Sequence, residues 1–430
     1  MARFQSFDDV SSRAHGPQRI AKLRAELARR GLAGFVVPRA DEHQSEYVPK
    51  NAERLAWLTG FTGSAGTAIV LRDEVALVVD GRYTLQAEEQ VDTSVITVVK
   101  LAKQSPEDWI GANLPADGAL AYDPWLHTVE GLKRLEEAVA RAGGTLVPVD
   151  INLVDVIWTD RPQARCGPVR PHPVEHAGES VASKLDRIRK KLNEAKVDAL
   201  VVSDPHNLAW AFNLRGSDIG HTPLPFGYVV VPRDGTPSLF LDPAKVTNEA
   251  GAAIGDLADL RKPTEFADML ERLGHERKKI RLDKATAATA LARRIEGAGG
   301  TVDHGPDPIS LMKAVKNETE TAGSRTAHLR DGAAVTKFLA WLDREASKGG
   351  LTEIAAAEAL EGFRIETGLL KDVSFPSISG AGPNAAIPHY RVTRSSNRTI
   401  EKDQIFLIDS GAQYEDGTTD ITRTVIVGEP

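Results

Sequence analysis

Two aspartates, Asp409 and Asp420, stand in the stretch "FLIDSGAQYEDGTTDITRTVIV", Phe406 to Val427, whose apolar residues otherwise describe a β-hairpin. Ile405, Leu407, Val425 and Val427 mark buried strand faces. A carboxylate among them is either solvated or matched by a partner, because a buried ionised Asp without one is very costly. Hydroxyls at Ser410, Thr418, Thr419, Thr422 and Thr424 crowd the same hairpin and could orient carboxylates through hydrogen bonds. Two oxygen donors on a rigid sheet suit a hard divalent cation, and shared carboxylates suit a pair of them. Read alone, the same residues equally allow a solvent-exposed hairpin. His389, in "PNAAIPHYRV", reads as a strand residue beside a loop marked by Gly380, Gly382 and Pro383 that could border a cleft. As a histidine it could hold or transfer a proton, although a lone strand histidine is more often structural.

Geometry constrains the pair. If Asp416-Gly417 formed the centre of a tight two-residue turn, Asp420 would lie opposite Gln413, roughly 13 Å along the sheet from Asp409. A bulge or wider loop, accommodated by Gly411 or Gly417, is therefore expected to shift Asp420 toward Asp409.

The elements that carry these residues follow from periodicity. From Asn317, "NETE" reads as a capping box opening a helix with Leu329, Ala333, Leu339 and Leu342 on its apolar face. A second helix runs from Thr352 through "EIAAAEALEGF", and strand-like segments then take over in "SFPSIS", "IPHYRV", "QIFLIDSGAQY" and "TDITRTVIV". This order predicts an α+β domain. Upstream the chain repeats itself. A helix with Ile20, Leu23 and Leu27 leads to the strand "GFVVP", as Leu185, Ile188 and Leu192 lead to "ALVV". "LAWLTGF" recurs as "LAWAFNLRG", and "LVVDGR" as "LFLDPA", at nearly constant offset. Each copy alternates helix and strand, which predicts two related α/β domains with helices packed on mixed sheets, their shared Trp57 and Trp210 in the cores. The Pro- and Gly-rich stretch from Arg161 to Ser180 reads as the linker, with His172 and His176 solvated and off any helix. The expected domains are 1–160, 161–315 and 316–430.

With 53 basic and 60 acidic residues, the net charge of −7 provides no general attraction for nucleic acid or anionic lipid. No apolar run reaches bilayer length. The lone Cys166 and an N-terminus without a secretory pattern fit a reducing cytoplasm. The glycines of "GFTGSAG" do not follow the dinucleotide-binding spacing. "DSG" around Ser410 is no nucleophile elbow.

"SFPSISGAGPNAAIPHYRV" followed by "LIDSGAQYEDGTTDITRTV" resembles the catalytic signature of aminopeptidase P, the Xaa-Pro aminopeptidases of the creatinase/prolidase pita-bread metallopeptidases. "ERLAWLTGFTGSAGTAIV", "DGRYTLQAEEQV", "NLRGSD" and "KNETE" extend the likeness, in order, to the three-domain cytosolic members. The resemblance implies two creatinase-like N-terminal domains before a catalytic one. It implies Asp409 as a chelator of one metal, Asp420 as the bridge between two, and His389 as a substrate contact. It also implies two divalent ions, typically Mn²⁺, a peptide substrate with proline at its second position, and a homodimer. In that family a histidine and two glutamates, and a further histidine near the substrate, follow the hairpin; here only "GEP" follows. The expectation is a chain truncated within the catalytic domain, holding metal weakly and inactive alone. A short non-catalytic relative acting in dimerisation or peptide binding is the alternative, and a prolidase- or creatinase-type hydrolase the runner-up on substrate.

Overall fold

The runs "GFVVP", "TAIVL" and "VALVV" are apolar at consecutive positions, as strands covered on both faces must be. In a computed structural model of the protein, which describes residues 2–428, they form the centre of a six-stranded sheet. These are β1 (Gly34–Pro38), β2 (Thr67–Leu71) and β3 (Val75–Val79), joined by β4 (Thr97–Lys100), β5 (Ala119–Tyr122) and β6 (Thr145–Pro148) in the order β4-β3-β2-β1-β5-β6. β1, β2 and β3 pair antiparallel, and the outer strands add in parallel. A second sheet repeats this order and these directions with β7 (Ala199–Val202), β8 (Tyr228–Pro232), β9 (Ser238–Phe240), β10 (Asp259–Arg261), β11 (Lys279–Leu282) and β12 (Thr301–His304).

Each copy begins with an amphipathic helix. α1 (Gly16–Arg29) buries Ile20, Leu23 and Leu27, and α2 (Val181–Ala195) buries Leu185, Ile188 and Leu192. Each such side chain contributes roughly 1.5–3 kcal/mol by leaving water. Trp210 lies in the core of its copy under the ammonium of Lys184, whereas the half-buried Trp57 stacks on Trp158 at 5.2 Å. The linker is partly ordered: Arg170–Pro171 pairs with Leu214–Arg215, and His176 sits in a one-turn helix, Val174–Ala177, where a solvated coil is expected.

Tertiary contacts divide the chain into two compact units, one of Arg13–Gly81 and Val91–Lys316 that holds both six-stranded sheets, the other of Met1–Ser12, Arg82–Gln90 and Asn317–Pro430. The second unit therefore takes in two segments distant in sequence. Its main helix, α3 (Glu318–Ala346), opens on the expected capping box: Asn317 Oδ1 accepts from the Glu320 amide, and Glu320 Oε2 accepts from the Asn317 amide, both at 2.9 Å. α4 (Glu353–Ile365) follows, then β13 (Asp372–Val373), β14 (Ile378–Ala381), β15 (Gln404–Ser410), β16 (Ala412–Gln413) and β17 (Ile421–Val427). β14, β15 and β17 form an antiparallel sheet whose Ala381, Phe406 and Ile408 pack on Phe338, Leu342 and Leu360 of the helices. The N-terminal segment is held to this unit by Phe7, which packs with Ile378, Tyr390 and Val392, and by the Phe4 amide donating to Glu361.

Candidate metal centre

β15 and β17 are register-locked from Gln404↔Val427 to the Gln413↔Thr418 bridge without a slip. The expected bulge is absent. Instead the turn sits one residue earlier than Asp416-Gly417, because the Tyr414 amide donates to the Gly417 carbonyl at 2.9 Å and encloses Glu415 and Asp416. Helix α3 sets that position. Arg330 holds the Asp416 carboxylate with two parallel bonds of 2.9 Å, and a Cβ on Gly417 would come within 3.0 Å of Ala327. Beyond the turn the two strands come so close that a Cβ on Gly411 would fall 1.9 Å from the Thr419 carbonyl oxygen, so only glycine fits there.

This register places Thr422 directly opposite Asp409, and Asp420 diagonally beside it on the same face. Thr422 Oγ1 donates to Asp409 Oδ1 at 2.7 Å. The two carboxyl groups converge closely enough that Asp420 is raised above the usual carboxylate range, by burial first, then by the charge of Asp409 and a hydrogen bond to it. His328 on α3 pulls Asp420 weakly the other way. A pair of like charges held together in this manner, with oxygen donors only, fits a hard divalent cation, whose charge would relieve the repulsion. Among the described residues no third His, Cys, Asp or Glu joins them in a metal-holding group.

What fixes Asp420 is its neighbour. Thr419 Oγ1 donates to Asp331 Oδ2 at 2.8 Å and accepts from the Ala412 amide at 2.9 Å. Asp331 is fully buried and held by the equally buried Arg364 through bonds of 2.7 and 2.9 Å, with Tyr414 donating to its other oxygen at 3.1 Å. Burial and the Asp331 charge push the Tyr414 phenol up. Sequence reasoning missed Asp331 and Arg364. The available signal was an acid inside the apolar stripe of α3, between Ala327 and Val335.

His389 lies in a turn, not on a strand. Pro388 removes a ladder donor, and a polar knot competes with strand pairing. The buried Glu353 carboxylate accepts from the Ala381 amide at 2.7 Å, the Tyr390 hydroxyl at 2.9 Å, Asn384 at 3.0 Å and the Arg398 amide at 3.0 Å. The His389 ring meets a residue that the sequence had not singled out: Nδ1 lies 2.7 Å from the hydroxyl of Tyr83.

Residues 19–157 and 160–320 each match the Creatinase/Prolidase N-terminal domain, and residues 322–430 match Metallopeptidase family M24. A probable Xaa-Pro aminopeptidase P of Paracoccidioides brasiliensis is 38% identical over 431 residues, covering 96% of this chain and 69% of its own length. The chain belongs to the Xaa-Pro aminopeptidase P family. A probable Xaa-Pro aminopeptidase P of Coccidioides posadasii matches equally well, at 38% over 428 residues with the same coverage. The crystal structure of the X-prolyl aminopeptidase from Caenorhabditis elegans, described as a cytosolic enzyme with a di-nuclear active site, matches with a TM-score of 0.89 at 32% identity, over 96% of this chain and 70% of that one. The family is one of metallopeptidases, and the carboxylate pair lies in the segment that matches the M24 domain. No helix among the described residues is long and apolar enough to cross a membrane.

Proposed function

We propose that the protein releases an N-terminal residue from peptides with proline at the second position, with Asp409 and Asp420 as oxygen donors to two divalent cations and His389 at the substrate. The observation that carries this reading is the convergence of the two carboxyl groups on one face of the β15–β17 hairpin. Such a cation pair supplies Lewis acidity to the scissile carbonyl and to water. The chain's own residues do the rest. Thr422 orients the Asp409 carboxylate, and Thr419, anchored on Asp331, fixes the backbone that presents Asp420. His389 offers one ring nitrogen to the substrate, the other being engaged by Tyr83. The bond before proline has no N–H, so an enzyme acting there must recognise the restricted ring and the carbonyl rather than an amide donor.

An all-carboxylate donor pair favours Mn²⁺ over softer or imidazole-seeking ions, in keeping with the family resemblance. The same resemblance supports a homodimer. A cytoplasmic location is supported by the cytosolic description of the C. elegans relative and by a single, exposed, unpaired Cys166. The test is release of the first residue from an Xaa-Pro peptide by the protein with Mn²⁺. Asp409→Asn and Asp420→Asn are each expected to lower turnover by more than about a hundredfold and to reduce bound manganese. Wild-type turnover and metal content in either variant would overturn the assignment.

A further inference from the structure

We propose that Tyr83 is a positioning residue for His389. Its hydroxyl holds Nδ1 so that the neutral ring carries its proton on Nε2 and presents an N–H donor to the substrate carbonyl. The proposal rests on the reading of His389 given above. The two residues are 306 positions apart, yet Oη and Nδ1 are 2.7 Å apart and the rings meet edge to face, 81° between planes and 5.5 Å between centroids. Tyr83 is 2% exposed, and the guanidinium of Arg82 sits 5.1 Å from its ring centroid. The segment Arg82–Gln90 belongs to the same compact unit as the hairpin, so this contact is internal to the unit that carries the carboxylates.

Chemistry decides the direction of the bond. A phenol, with a pKa near 10, is a far stronger acid than the N–H of a neutral imidazole, and an imidazole lone pair is a stronger acceptor than a phenol oxygen. Tyr83 therefore donates and Nδ1 accepts. The neutral ring must then carry its hydrogen on Nε2. The polar knot around Glu353 holds the adjacent Tyr390, so the backbone beneath the ring is fixed independently of Tyr83, and the hydroxyl acts on ring rotation and tautomer alone. A donor set in this way strengthens its bond as charge builds on the carbonyl oxygen, which places its effect on kcat more than on KM.

In the protein with Mn²⁺ and an Xaa-Pro peptide, Tyr83→Phe is expected to lower kcat about tenfold with KM held within about twofold. In a His389→Ala background the same substitution should have no further effect. Long-range proton–nitrogen NMR of the His389 ring should show the Nε2–H tautomer in the wild type and a mixture in Tyr83→Phe, a readout independent of turnover. If His389→Ala itself leaves kcat unchanged, the substrate role of His389 falls and this proposal with it. If His389→Ala lowers kcat but Tyr83→Phe does not, acts additively, or leaves the tautomer unchanged, the proposal falls while His389 stands.

Discussion

The two six-stranded halves are one design used twice, and they part company most clearly at one crossover. In both, the first helix sends a cation onto the shared tryptophan and bonds its backbone: Arg19 lies 4.5 Å from the Trp57 ring, Lys184 lies 4.1 Å from the Trp210 ring, and each donates to that tryptophan's carbonyl. In the second copy the chain leaving β9 stays at home. Asp242 caps the Ala244 amide, Lys245 pairs with Asp218 at 3.0 Å, and the helix Asn248–Ile254 buries Ala250 and Ile254 in the copy's own core. In the first copy the chain leaving β3 gives Arg82–Gln90, Tyr83 included, to the unit of the metallopeptidase match. What the copies share is what folds a sheet. The crossover is free of that duty, and in the first copy it carries Tyr83 to His389.

The largest expected effect separates the receiving unit from the donor. Arg364→Ala leaves the Asp331 carboxylate buried without its cation, a change that typically costs about 3–5 kcal/mol. Hydrogen exchange should then accelerate in β15 and β17 while the six-stranded sheets keep their protection. An equal loss of protection in both sheets would break the comparison, because the duplicated halves would then depend on the unit to which one of them contributes.

The repeat was legible because its signals are local: helical stripes, apolar strands and two tryptophans at a near-constant offset. The pairing of Asp409 with Asp420 was legible as a requirement but not as a geometry. Asp-Gly is the usual hairpin signal, yet Arg330 and the close approach of α3 draw the turn to Glu415-Asp416, and a helix residue 86 positions upstream leaves no mark on the hairpin's own sequence. His389 was misread as a strand residue because the Glu353 knot that holds its loop is assembled from four separate stretches of chain. Tyr83 was invisible for the same reason, its partner lying 306 residues away.

A second, smaller divergence lies at matching helix caps. Asn152 caps Leu153–Ile157 in the first copy and donates to Asp123, whereas Asp307 caps Pro308–Ala314 in the second and accepts from Asn207. Burial, aided by the charges of Asp204 and Asp283, raises Asp307 to about 6. An acid raised in the folded state stabilises it fully below the unfolded pKa of 3.8, and that contribution is lost as pH climbs through 6. Asp307→Asn restores the first copy's residue, caps equally well, and lets the unpartnered Asn207 Oδ1 turn to accept. Relative to wild type the variant should gain about 2–3 kcal/mol between pH 4 and pH 7 in urea titrations. A constant difference across that range would mean that Asp307 carries no shifted proton.

The finest difference is between the two clamps themselves. Lys184 is 1% exposed, and its ammonium also donates to Asn213 Oδ1 at 2.6 Å, whereas Arg19 is partly solvated and burial draws its pKa down. Methionine keeps the unbranched stem of either side chain and removes the charge. Lys184→Met takes the charged donor from two buried acceptors and forfeits the ring contact, a loss of about 2 kcal/mol, while Arg19→Met removes a bond beside solvent and should lose about 1 kcal/mol. Denaturant midpoints at unchanged slope resolve a gap of that size. Equal losses would show that exposure does not distinguish the clamps; a larger loss at Arg19 would place the greater load on the copy that also donates its crossover. The expected order, Lys184 above Arg19, instead leaves the copy that serves the catalytic unit as the more loosely fastened of the two.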